Sequence, residues 1–447
     1  MPPERTPENA KHIVIVGGGY VGMYTALRLQ KKLRGELKRG EVAITVIDPQ
    51  SYMTYQPFLP EAAAGNLEPR HVVAPLRKVL HRCRIRNGFV TRIDDARRCV
   101  TYCPAGSDGQ IQQEIHYDFL VVAAGSVSRL LPIPGLSECG IGFKTVEEAI
   151  YLRNHVLRQL DIAASNEDEK VRRRSLTFVF VGAGFAGVEA LAELEDMARD
   201  ALKWYPTLRA EDMRWVMVEA TDRILPEVGP EMGTWTAEAL RRRGIEIRTG
   251  TLLKSAENHR VVLSDGEEFD TGTLVWTAGV KAHPVVRRSD LPIDDKGRVI
   301  ATAELTVEGR ERVYAAGDNA RVPDLTDTGD YCAPNAQHAV RQAKRLADNI
   351  VADYRGKPRK PYVHAYVGSV AGLGLHKGVA NVYGVKLRGL LAWFMHRTYH
   401  LSRMPTTNRK MRVTADWTLA FLFRREIVSL GELEHPREEF ELASKGD

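Results

Sequence analysis

The chain has 447 residues, room for two or three domains, with 44% hydrophobic residues and a formal net charge of +6. That apolar content supports buried cores and excludes a chain too polar to fold, and so mild a charge excess gives no ground for nucleic-acid binding, since basic surface alone is not a recognition fold. No run of 18 apolar residues occurs, which excludes a spanning helix, and Met1–Ala10 lacks the apolar core of a secretion signal.

Ile13–Val16 reads as a short buried strand running into Gly17-Gly18-Gly19-Tyr20-Val21-Gly22, with Tyr24–Leu33 following as a helix. In such a turn the first glycine makes the tight exit, the second lets backbone approach a pyrophosphate, and the third lets helix and strand pack closely. The free N–H groups of the helix then face the phosphates. Val42–Ile47 is the next strand and closes on Asp48, placed to accept hydrogen bonds from an adenosine ribose. Asp48 comes 31 residues after Gly17, where about 20 is usual; the excess is the basic connection Lys31–Gly40. Phe119–Gly125 reads as a buried parallel strand ending in small residues, so Gly125 marks a close approach of chain or ligand. Thr145–Leu160 is a helix with Glu147 and Glu148 in its first turn, and Ala164–Arg174 reads as a polar surface loop.

The pattern then repeats. Phe178–Val181 leads into Gly182-Ala183-Gly184-Phe185-Ala186-Gly187, the helix Val188–Leu202 follows, and the strand Met213–Val218 closes on Glu219, 37 residues after Gly182. A carboxylate there welcomes two ribose hydroxyls and repels a 2'-phosphate, which favours NADH over NADPH; Arg223, four residues on, leaves some NADPH use open. Thr234–Arg243 is a helix, Ile245–Ile247 a short strand, and Leu274–Gly279 repeats the small-ended character of the run to Gly125. Val313–Ala316 ends at Gly317-Asp318, where the carboxylate meets a ribityl hydroxyl or the pyrophosphate region of an extended cofactor, or else caps a turn. Pro334–Asp353 is a helix with Pro334 suited to its first turn, and its N-terminus suits the N1–C2=O edge of a reduced flavin.

From Lys357 to Arg425 there are 13 Lys or Arg and one acid, Asp416; beyond Arg425 the balance reverses with Glu426, Glu432, Glu434, Glu438, Glu439 and Glu441. Leu387, Leu390, Leu391, Trp393, Phe394 and Met395 are interrupted by Arg388, His396 and Arg397, and Trp417, Leu419, Phe421, Leu422 and Phe423 end at Arg424-Arg425. Apolar faces rimmed by arginine suit helices lying in an anionic bilayer interface; the alternative is packing against each other or a second subunit. The expected fold is α/β with two Rossmann-like dinucleotide-binding domains, the second inserted in the first, plus a C-terminal helical membrane-associating region. The expected domains run over 11–144, 145–285, 286–356 and 357–447; the resemblance drawn next implies an FAD-binding domain in two parts for the first and third, an NADH-binding domain for the second, and a membrane and dimerisation region for the last.

With both fingerprints, Tyr55-Gln56-Pro57-Phe58-Leu59-Pro60-Glu61, Thr277-Ala278-Gly279-Val280, Ala315-Ala316-Gly317-Asp318, Gly389-Leu390-Leu391-Ala392-Trp393 and Asp416-Trp417 in place, the chain resembles the type II NADH dehydrogenases over nearly its whole length. These are single-subunit NADH:quinone oxidoreductases that pump no protons. The resemblance implies that Gly17, Gly19, Gly22, Asp48 and Asp318 hold FAD, with Gln56, Gly125, Gly279, Gly317, Ala336 and Gln337 along the cofactor. It implies that Gly182, Gly184, Gly187 and Glu219 hold NADH, and that Glu189 handles protons or quinone, the alternative being an interdomain salt bridge. A family quinone signature of the form AQxAxQ appears as Ala336-Gln337-His338-Ala339-Val340-Arg341, so Arg341 replaces the last glutamine and Gln342 faces about 100° further round. Gln337, Arg341 and Glu189 are the expected catalytic residues. An arginine at 341 hydrogen-bonds a quinone oxygen or binds an acidic acceptor instead. The family also dimerises and attaches to membranes through its C-terminal region, although His396–Met411 is more polar here, which implies weak attachment. Quinone, as menaquinone or ubiquinone, a second copy of the chain and an anionic membrane surface are the expected partners, with no nucleic acid and no metal. The expected location is cytoplasmic or peripheral on the inner face of the cell membrane.

Cysteine separates the alternatives. Cys83, Cys99, Cys103, Cys139 and Cys332 make no disulfide framework in a chain of this length. Disulfide reductases of similar architecture need a close pair beside the flavin, whereas Cys99 and Cys103 read as part of a β-hairpin and Cys332 as a buried structural thiol, the alternative being that it approaches the flavin from just before the Pro334 helix. Histidines are scattered without metal-ligand spacing, His338 being notable only for its place on the expected quinone helix. Two rival functions remain: a soluble NADH-dependent flavin reductase of another small acceptor, and an FAD-bound NADH-sensing interaction protein with little turnover.

Overall fold

The computed structural model describes residues 10–107, 109–326, 329–364 and 368–429. The acidic run from Glu432 onward, and with it the end of the expected C-terminal region, lies outside the described residues. The chain forms two compact units: Met1–Thr54, Val73–Arg129 and Gly279–Tyr366 make the first, and Tyr55–Val72, Leu130–Ala278 and Val367–Asp447 the second.

The first unit is built on a seven-stranded sheet in the order Val313–Ala315, Phe119–Val122, Lys11–Val16, Val42–Asp48, Arg84–Asp94, Cys99–Pro104 and Gln113–His116. Its first five strands are parallel and the last two fold back antiparallel. Ile13 to Val16 and Phe119 to Val122 are buried throughout, as near-continuous apolar runs must be in a sheet covered on both faces. The helix Tyr20–Lys32 lies on one face beside the helix Ala336–Tyr354, joined by Thr25 Oγ1 to the Ala343 carbonyl at 3.3 Å and by the Arg28–Asp348 pair at 2.7 Å. The expected basic connection Lys31–Gly40 is itself helical over Arg34–Arg39, ended by Gly40 at φ +74°, and this extra turn accounts for the long spacing to Asp48.

The second unit carries a five-stranded parallel sheet, Gly140–Gly142, Thr273–Trp276, Thr177–Val181, Arg214–Val218 and Ile245–Arg248, with the helix Phe185–Ala201 leaving its central strand. The helix Val146–Ser165 opens with a full capping box: Glu148 N–H donates to Thr145 Oγ1, and Glu148 accepts from the Thr145 N–H. The stretch read as a loop after it holds a helix over Glu169–Ser175, capped by Asp168 and tied by Glu169–Arg173 at 2.7 Å.

The units divide elsewhere than the sequence indicates. Their crossings fall at 129/130 and 278/279 rather than 144/145 and 285/286, because Val280–Ala282 pairs with Ser126–Ser128. Residues 55–72 leave the first unit between the paired strands Tyr52–Thr54 and Val73–Pro75 and pack with the second. The C-terminal region also joins the second unit and opens with an unexpected antiparallel sheet, Gly368–Gly372, Gly378–Val382 and Val385–Arg388, before the helices Gly389–Arg403 and Thr407–Phe423. Among the described residues no helix is long and apolar enough to cross a membrane.

Candidate dinucleotide and acceptor sites

In the first unit, Gly17 sits at φ +100° where the central strand ends, and a Cβ there would meet the Ala123 carbonyl. A Cβ on Gly22 would run into the Gly17 carbonyl oxygen, whereas one on Gly19 would meet nothing within 4 Å. Two glycines are therefore fixed by packing, and the third borders open space at a helix N-terminus, which is the cradle a pyrophosphate requires. Asp48 closes the adjoining strand and accepts from the Gly18 and Gln50 N–H groups. Burial pushes its carboxyl up against the pull of those two donors.

The far edge of this unit completes the cradle. Asp318 accepts from Ser126 Oγ at 2.6 Å, and Gly317 N–H donates to Gln342 Oε1 at 2.8 Å. Asn319 accepts from the Gly125 N–H at 2.8 Å and donates to the Val122 carbonyl at 3.1 Å, stapling two strand ends. Ser126, Asn319 and Gln342 escaped the sequence reading: the polar tips are ordinary residue types, and their partners are distant in the chain. Gly125 and Gly279 both border open space, at φ +69° and +88°. These residues fit FAD.

The second unit repeats the geometry: Cβ atoms on Gly182 and Gly187 would strike backbone, one on Gly184 would meet nothing, and Glu219 accepts from Ala183 N–H at 2.7 Å and Thr221 N–H at 2.9 Å. This turn fits the adenosine half of NADH. Gln56 also belongs to this unit, donating to the Lys144 carbonyl at 3.2 Å.

Glu189, on the helix after the second fingerprint, is buried; it accepts from Gly372 N–H at 2.7 Å and lies 3.2 Å from His396 Nε2. Burial disfavours a charged imidazole, but Glu189, with Glu61 and Glu193 behind it, outweighs that and raises the His396 pKa. Glu61 holds Arg397 at 2.7 Å and Trp417 Nε1 at 2.8 Å, and Glu193 accepts from Asn66 Nδ2 at 3.1 Å. Burial, and then Glu61, push the Glu193 carboxyl up. His400 sits beside His396, and burial drives its pKa well down. His396 gave no motif in the sequence.

In the first unit, the helix carrying Ala336 is capped by Asn335, which accepts from His338 N–H at 2.8 Å. Gln337 Oε1 contacts His364 Nε2 at 2.9 Å, and Arg341 donates to the Gln337 carbonyl at 3.0 Å. Gln342 is buried on Gly317, so it does not replace the glutamine missing at 341. Burial, then Arg341 and His338, lower the His364 pKa to about 4. All five cysteines are free, and Cys99 and Cys103 lie on the antiparallel strand Cys99–Pro104 rather than at the parallel strand ends where the cradles form.

The pyridine nucleotide-disulphide oxidoreductase family model matches residues 8–343. The type II NADH:quinone oxidoreductase Ndh of Mycobacterium tuberculosis is 28% identical over 438 residues, covering 95% of this chain and 90% of that protein. The type II NADH:quinone oxidoreductase of Staphylococcus aureus is 30% identical over 399 residues, covering 87% and 94%. The structure of NDH2 from Plasmodium falciparum in complex with NADH superposes with a TM-score of 0.85 at 17% identity, covering 94% of this chain and 99% of that one, a likeness of fold. With two cradles, a carboxylate at the end of the strand beside each and no cysteine pair next to them, the chain belongs to the pyridine nucleotide-disulphide oxidoreductase family and, within it, to the type II NADH:quinone oxidoreductases.

Proposed function

We propose that this protein oxidises NADH and reduces a quinone by two electrons through non-covalently bound FAD, without pumping protons. When bound, FAD supplies an acceptor for the NADH hydride and a donor to the quinone. The observation that carries the reading is the pair of glycine cradles with no cysteine pair beside either: Cys99 and Cys103 lie on the antiparallel strand Cys99–Pro104, and Cys332, which hydrogen-bonds Gln342, stands alone. A disulfide reductase would need a thiol pair to receive the electrons; here they leave for a diffusible acceptor.

The chain's own groups position and polarise. Glu219 selects the ribose of NADH, and Asp48, Gly317 and Asp318 orient FAD. Gln337 and Arg341, one helical turn apart, face the acceptor and hydrogen-bond its oxygens. Within the second unit, Glu189 keeps a proton on the His396 imidazole against the pull of burial, which makes this buried pair a proton reservoir. Glu61 and Glu193 add to the hold of Glu189 on that proton. Arg341 also favours a second reading, in which the acceptor is a small acidic oxidant. The apolar, arginine-rimmed C-terminal helices attach the protein to an anionic membrane surface or to a second copy of itself.

Anaerobic reduction by NADH followed by a menaquinone or ubiquinone analogue tests the assignment: rapid reoxidation is expected, and a flavin that no quinone reoxidises overturns it. In Arg341→Gln, quinone turnover should rise, on the order of tenfold for one better hydrogen bond, while reduction by NADH stays unchanged. An unchanged quinone rate would place this side chain away from the acceptor.

A further inference from the structure

After Ala320–Arg321 the chain doubles back. Pro323 bridges Tyr331, Asp324 N–H donates to the Asp330 carbonyl at 3.0 Å, and Cys332 N–H donates to the Val322 carbonyl at 2.9 Å. The return sets the Cys332 thiol beside the Asp324 carboxylate, and the Asn335-capped first turn of the following helix brings in His338. One donor atom from each of Asp324, Cys332 and His338 lies within 4.8 Å of the others, with Cys332 and His338 buried. Seven residues and then five lie between these ligands in sequence, a spacing that matches no familiar metal motif, which is why the scattered histidines read as metal-free.

We infer that Asp324, Cys332 and His338 bind one divalent cation of borderline softness, Zn²⁺ before others. Carboxylate, thiolate and imidazole are the three donor classes zinc takes, and three protein ligands leave the fourth tetrahedral position to water. A thiolate selects zinc over magnesium or calcium. Tyr362 Oη, 3.0 Å from His338 Nδ1, fixes the ring as an outer partner of a metal ligand does. Burial, with Asp324 adding to it, pushes the Cys332 thiol up to about 11, so without metal the thiol keeps its proton and binding releases it to solvent. Arg341, His364 and Asp330 also face the cluster. The guanidinium opposes a cation, but carboxylate and thiolate together supply two negative charges against it. A bound ion ties Asp324 and Cys332 to the first turn of the helix. Arg341 is shared with the proposed acceptor site, so the test reads metal binding and not quinone turnover.

The test is titration of the reduced-thiol holoenzyme with Co²⁺, read from tetrahedral d–d bands at wavelengths longer than flavin absorption. It is done in a Cys99→Ser background, because Cys99, Glu114 and His116 form a second, surface cluster within ligand range. One Co²⁺ per chain is expected, displaced by Zn²⁺, with the bands lost in Cys332→Ser and the affinity lowered about tenfold or more in Asp324→Asn. Undiminished flavin content in each variant shows that it folds, and Asp324→Asn carries the test if Cys332→Ser does not. Absence of stoichiometric uptake, or the same bands without the Cys332 thiol, overturns the site.

Discussion

Glu219 shows how one side chain can serve both fold and specificity. One of its oxygens anchors the glycine turn through Ala183 and the other the following turn through Thr221, so its position is fixed before any nucleotide arrives. Replacing it by glutamine keeps an acceptor oxygen and removes the charge. The ratio of kcat/KM for NADH over NADPH should fall about tenfold or more, the removal of roughly 1.4 kcal/mol of repulsion toward a 2'-phosphate; an unchanged ratio would move the ribose elsewhere. The glycine turns and the strand-end positions of Asp48 and Glu219 were legible in sequence because they follow from local spacing. Asn319, Gln342 and His396 were not, since Gly125, Gly317 and Glu189 reach them only once the chain has folded.

Elements were legible where the signal was local and missed where it was weak. Thr145 with Glu148 announced a helix start, and the structure has the complete capping box. Residues 164–174 read as a loop from polarity alone, yet Asp168 and the Glu169–Arg173 pair are themselves helix signals. The strands from Gly368 to Arg388 were hidden by glycines and by the absence of clear alternation. The first two parallel strands are also linked by chemistry, since His12 Nε2 lies 2.8 Å from Thr45 Oγ1. Burial foremost, with Arg84 assisting, lowers the His12 pKa to about 4. The folded state therefore keeps this imidazole neutral while the unfolded chain protonates it near 6.5. Stability present above pH 6.5 is lost as pH falls toward 4, about 1–2 kcal/mol of it by pH 5. His12→Gln should flatten that decline in melting temperature between pH 7 and 5; an identical decline would show that His12 does not titrate this way.

At the scale of the whole molecule, the C-terminal helices leave Leu390, Leu391, Phe394, Leu419, Phe421, Leu422 and Phe423 exposed, with Phe421 at 80%. Arg409, Lys410, Arg412 and Arg424 accompany them. Wild-type protein should sediment with anionic vesicles, less with neutral ones and less in high salt. Phe421→Glu with Phe423→Glu should cut binding by more than tenfold, since each buried phenylalanine contributes roughly 1.5–3 kcal/mol. Wild-type protein left in the supernatant would turn this surface over to self-association. The overall plan of two nucleotide folds was legible because the same turn occurs twice; the exact crossings were not, because they depend on which short strands pair.

Those crossings govern how the protein is made. The sheet of the first unit keeps the strand Phe119–Val122 as an unpaired edge until Val313–Ala315 arrives, and the whole second fingerprint is translated in the interval. A nascent polypeptide halted after residue 278 carries the N-terminal glycine turn but neither Asp318 nor the helix that seats Gln342 on Gly317, so on the proposed FAD site coenzyme loading waits for the last part of the chain. A truncated gene product ending there would be an apoprotein with an open, aggregation-prone border rather than a smaller flavoprotein.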